Sequence, residues 1–143
     1  MEKQFVPYKL ALKLKELGFD EECFAFYVEK DDEIYLKYGE GSGYRTKHSY
    51  ENVRFDKITN SHSKIYDNRL YGCLATAPLW QQAFDWMSTE FGIHGNVFPN
   101  GKNGEYQSFE YKKGYGGTAT NAKVYSDIFL CRIDLLTHLI ENK

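Results

Sequence analysis

The chain has 143 residues, with 18 Lys and Arg against 20 Asp and Glu and a formal charge of -2. It has no global field to hold duplex nucleic acid or an anionic membrane surface by charge. A chain of this length is the size of one ordinary domain and can bury a hydrophobic core without disulfide or metal staples, so a single α+β domain over residues 1–143 is expected. Aromatics are abundant, with 12 Tyr, 10 Phe and 2 Trp; tyrosine suits both the half-exposed face of a sheet and a binding surface.

In chain order, Val6, Leu10, Leu14 and Leu17 form one helical stripe with Ala11 beside it, while Lys9, Lys13, Lys15 and Glu16 point away. Pro7 suits the first turn, where an N–H has no partner, and Gly18 suits a left-handed C-terminal cap. Cys23–Val28 and Glu33–Tyr38 then flank the acidic turn Glu29–Asp32 and read as a hairpin.

From Gly39 to Gly72 periodicity fades, leaving short strand-like pieces such as Val53–Ile58, and this segment reads as an irregular insertion. It holds four acids (Glu40, Glu51, Asp56, Asp67) against six bases (Arg45, Lys47, Arg54, Lys57, Lys64, Arg69), so it is locally positive.

Thr76 is the expected N-cap of a second helix, in which Trp80, Ala83, Phe84, Met87 and Phe91 recur at helical spacing until Gly92. Ile93–Phe98 and Tyr106–Tyr111, separated by a segment with Asn-Gly steps, read as a second hairpin. Lys112–Thr118 leads into a last helix, capped by Thr118, Thr120 or Asn121, with Tyr125, Ile128, Phe129, Leu135, Leu136, Leu139 and Ile140 on its apolar face.

The order helix, glycine, hairpin thus occurs twice. Two helix–hairpin units pairing into one antiparallel sheet of at least four strands, with three helices on one face, is the expected architecture.

Val6-Pro7-Tyr8, Leu10–Glu21, Cys23-Phe24 and Ala77–Trp86 together resemble a group of small uncharacterised proteins encoded by phages and prophages of Bacteroidota. The likeness covers the first helix and hairpin, the second helix and, loosely, the last. That group carries no agreed activity. Its members pass from the first hairpin to the Ala-Pro-Leu-Trp helix by a shorter connection, so Gly39–Gly72 is where a specialised function is expected. The resemblance implies an accessory phage protein working in the host bacterial cell, by blocking a host defence.

The chemistry-bearing residues are sparse. His48, His62, His94 and His138 are scattered without the spacing of a metal site, and Cys23, Cys73 and Cys131 lack the spacing of zinc ligands or a redox dithiol. No metal or cofactor is expected, and the cysteines read as reduced thiols. Met1–Lys9 lacks the apolar segment of a secretion signal, and the longest apolar run, Cys23–Val28, is too short to cross a bilayer; a cytoplasmic location without membrane contact is expected.

Gly39–Arg45 has glycines spaced for backbone approach to a phosphate but lacks the Lys-Ser/Thr of a P-loop. A flexible loop is its plainer account. Lys112–Thr118 joins lysines and glycine amides ahead of a helix N-terminus, which favours anions, although simple helix entry also explains it.

If the two segments meet, they form a positively charged, tyrosine-rich recess for a small anionic nucleotide, with Tyr44, Arg45, Lys47, Arg54, Lys113 and Tyr115 as ligand-binding residues. The expected function is a non-enzymatic anti-defence binder that sequesters a nucleotide signal or blocks a host component. The alternatives are a protein–protein interaction module docking a host protein through its sheet or insertion, and a small hydrolase using His94 or His48. Edge-strand pairing would make a homodimer.

Overall fold

The computed structural model describes residues 2–38, 59–61, 73–99, 104–112, 116–118 and 124–143. The elements are α1 (Tyr8–Glu16), β1 (Ala25–Lys30), β2 (Glu33–Tyr38), β3 (Cys73–Ala77), α2 (Trp80–Phe91), β4 (Ile93–Pro99), β5 (Tyr106–Lys112), β6 (Gly116–Thr118) and α3 (Ile128–Glu141). The class is α+β, with three α-helices and antiparallel sheets among the described residues.

Both helix–glycine stops form as their chemistry requires. Gly18 adopts φ 99°, and α1 closes with Phe19 N donating to Leu14 O at 2.9 Å and Gly18 N to Lys15 O at 3.0 Å. These are the two bonds of a Schellman motif, with Phe19 buried beside them. Gly92 caps α2 at φ 66°, its N–H donating to Ser88 O.

Both hairpins also form. β1 pairs with β2 from Ala25↔Tyr38 to Lys30↔Glu33, leaving only Asp31 and Asp32 in the turn. Their φ values of 54° and 60° define a type I′ turn, whose twist matches that of the strands. β4 pairs with β5 from Ile93↔Lys112 to Pro99↔Tyr106.

The expected sheet of at least four strands is not shown. Among the described residues the strands form two three-stranded sheets, ordered β2-β1-β3 and β4-β5-β6. Each hairpin takes its third strand from a segment outside the two expected units: β3 pairs along β1, and β6 pairs along β5.

Three local expectations change for the same reason. Thr76 lies in β3 and is fully buried, so it is not the cap of α2; that position is Leu79, which makes no side-chain cap bond. Gly116–Thr118 is strand and not helix entry. α3 begins at Ile128 and not after Thr118, Thr120 or Asn121. Its cap is Asp127, whose carboxylate accepts from Phe129 N at 2.9 Å.

The residues group into two compact units. One comprises Ala11–Pro78. Its core holds Leu14, Phe19, Cys23, Phe26, Val28 and Ala75, and β1 is buried from Ala25 to Val28. Part of the expected insertion is pinned here: Asn60 donates to Phe19 O at 2.7 Å and accepts from Thr76 N at 3.0 Å, while Ser61 N donates to Asp20 at 2.6 Å.

The other unit comprises Lys3–Leu10 and Leu79–Lys143. Trp80, Met87, Ile93, Leu135, Leu136 and Leu139 fill its core. Trp80 donates to Lys3 O at 2.8 Å and packs its ring edge-on to Phe129.

Candidate functional site

The second sheet supplies the chemistry-bearing side chains among the described residues. A Cβ placed on Gly95 would stand 2.7 Å from Leu139 Cδ1 and 3.1 Å from Leu135 Cδ2, so at Gly95 the β4 backbone lies directly against α3. Strand alternation then assigns the faces. Gly95 and Val97 face α3 together with their cross-strand partners Glu110 and Ser108. His94, Asn96 and Phe98 lie on the opposite face, and all three are exposed. Phe98 keeps 40% of its surface accessible and stands across from Gln107, while Asn96 stands across from the half-buried Phe109.

On the α3 side, Glu110 is buried and its carboxylate lies 2.7 Å from His138 Nε2. His138 is itself only partly exposed, its side chain 39% accessible and its Nε2 engaged with this acid. A carboxylate inside a sheet–helix interface requires a hydrogen-bond donor, and His138 supplies it. Nearby in sequence, Tyr125 is buried and donates to Asp134 Oδ2. Burial, and then that hydrogen bond, push the Tyr125 phenol up to about 12. Burial likewise raises the Cys131 thiol, with Asp134 adding to it. These pairs hold α3 in place.

On the open side, Ser88 Oγ lies 2.6 Å from His94 Nδ1. This is the contact a serine nucleophile would make with a general base. It also spans only the reversal from α2 into β4, where Ser88 O already receives the Gly92 N–H. The contact thus also closes the helix end.

Tyr44, Arg45, Lys47, Arg54, Lys113 and Tyr115 all lie outside the described residues, as does His48. Among the described residues no group of three or more His, Cys, Asp or Glu gathers as metal ligands would, and no helix is long and apolar enough to cross a membrane. Cys23 and Cys131 are buried and make no disulfide.

Three pairs were not read from sequence: Ser88–His94, Glu110–His138 and Tyr125–Asp134. One signal existed. In the alternation of Tyr106–Tyr111, Ser108 and Glu110 share one face, and a polar pair on the buried face of a strand calls for a polar partner on the element above it.

Comparison with protein-family models, with curated proteins and with solved structures returns no match.

Proposed function

We propose that this chain is a non-enzymatic accessory protein of a phage, acting in the cytoplasm of the bacterial host as an anti-defence factor that blocks a host protein by docking on it. The observation that carries the docking is the open face of the second sheet. Phe98 is exposed there beside Asn96 and across from Gln107. An aromatic ring framed by amide side chains offers apolar area with directional hydrogen bonds around it, the composition of protein-binding surfaces. The phage setting rests on the sequence resemblance.

Affinity capture from host lysate with the wild-type chain and with Phe98→Asp tests this. A host protein retained by the first and lost from the second is the expected result. Equal capture by both removes the face from consideration. Sequestration of a nucleotide signal is the other branch, and calorimetry against cyclic and linear nucleotides addresses it directly; heat of binding there would replace the protein partner as the target.

The Ser88–His94 contact favours a second reading, a small hydrolase. Ester turnover abolished in both Ser88→Ala and His94→Ala would support it, and unchanged turnover would remove it.

A further inference from the structure

β2 differs from its neighbour in the first sheet. β1 is buried from Ala25 to Val28, whereas β2 is exposed at Glu33, Ile34, Tyr35 and Lys37, with Leu36 half-buried. Ile34 and Tyr35 point to opposite faces of the strand and keep 46% and 44% of their surfaces accessible. Among the described residues β2 pairs with β1 alone.

The turn fixes which backbone groups point outward. In a two-residue hairpin loop the flanking residues, here Lys30 and Glu33, exchange hydrogen bonds, and the pattern alternates from there along the strand. Glu33, Tyr35 and Lys37 therefore direct their N–H and C=O groups to β1. Ile34 and Leu36 direct theirs to the outer edge.

The strand reads Glu33-Ile34-Tyr35-Leu36-Lys37, which is complementary to itself when reversed about Tyr35. We propose that the chain forms a twofold dimer by antiparallel pairing of β2 with β2 of a second copy, centred on Tyr35. Ile34 faces the Leu36 of the other chain and exchanges backbone hydrogen bonds with it, and the reciprocal pair does the same. On one face the aliphatic residues meet across the seam. On the other, each Glu33 faces a Lys37 and the two Tyr35 rings meet at the axis.

Backbone parity and charge select the same alignment. Pairing the outward groups of Ile34 and Leu36 requires registers that differ in steps of two residues. Of these, the one centred on Tyr35 alone places each Glu33 opposite a Lys37. Opposite charges facing across strands stabilise, and like charges destabilise. Glu33 already holds the Tyr35 hydroxyl on that face, which draws the acid and the ring together beside the seam. The surface lies on the first sheet, so the inference stands apart from the docking face around Phe98.

Sedimentation velocity over a concentration series on the full chain tests the proposal, with circular dichroism as a check that each variant is folded. The wild type is expected to show a concentration-dependent dimer. Glu33→Lys and Lys37→Glu place like charges opposite each other twice per dimer, so each alone is expected to associate at least about tenfold more weakly. In an equal mixture one chain carries lysine at both positions and the other carries glutamate at both. Every facing pair is then again of opposite charge, and the heterodimer is expected to form. A wild type that stays monomeric near millimolar concentration overturns the proposal. So does undiminished dimerisation of either single variant, or failure of the folded mixture to restore association.

Discussion

Gly95 shows how one missing side chain sets the distance between two elements. Its Cα lies against Leu139 and Leu135, both fully buried, and a methyl there would overlap Leu139 Cδ1. Those leucines are flexible at their tips but hemmed in by the core, so the strain is only partly relieved. Gly95→Ala is expected to lower stability by about 1–2 kcal/mol in urea unfolding. In a Leu139→Ala background the same substitution should cost clearly less, because the opposing methyl is gone. Equal costs in both backgrounds would mean that the helix shifts as a body. Asn60 is the comparable polar case: one side chain satisfies Phe19 O and Thr76 N together. The expected fading of structure across Gly39–Gly72 thus has at least one fixed point.

At the scale of elements, the local signals were legible and the partnerships were not. Gly18 and Gly92 stop their helices because only a left-handed residue completes those caps, a fact readable one turn away in sequence. The hairpin turn is less well optimised. Asp31 and Asp32 both hold positive φ, which a β-carbon disfavours. Asp32→Gly is therefore expected to stabilise the fold by about 0.5–1 kcal/mol, seen as a higher urea midpoint with unchanged slope. It also removes one charge from the acidic run Glu29–Asp32. β3 and β6 are short segments that become strands by pairing with β1 and β5, and nothing in their own five and three residues announces that. The same applies to α3. Its cap at Asp127 follows the Tyr106–Tyr125 bridge, which holds the preceding chain extended.

For the whole molecule, buried phenols set the behaviour at high pH. Tyr27 is held near 12 by burial, with the Glu2 charge adding to it, and Tyr125 is held there by burial and its bond to Asp134. An unfolded tyrosine loses its proton near 10. Between pH 10 and 12 the unfolded chain therefore gives up protons that the folded chain keeps, and proton release favours unfolding. Stability should hold below pH 10 and fall as pH approaches 12. Tyr27→Phe should flatten that fall, measured as the urea midpoint on either side of pH 10; an identical slope would show that Tyr27 ionises in place.

The sequence by itself determined what rests on contacts a few residues apart: the helices and their glycine stops, the two hairpins, and the α+β class. The tertiary structure decided that the hairpins belong to separate sheets, because β1 takes β3 and β5 takes β6 as its second partner. It also decided that Glu110 meets His138 and that Phe98 faces outward. The β1–β3 pairing and the Glu110–His138 contact join segments far apart in the chain, where local spacing carries no record of the choice; β6 follows β5 closely, but its three residues are too few to show a strand's alternation.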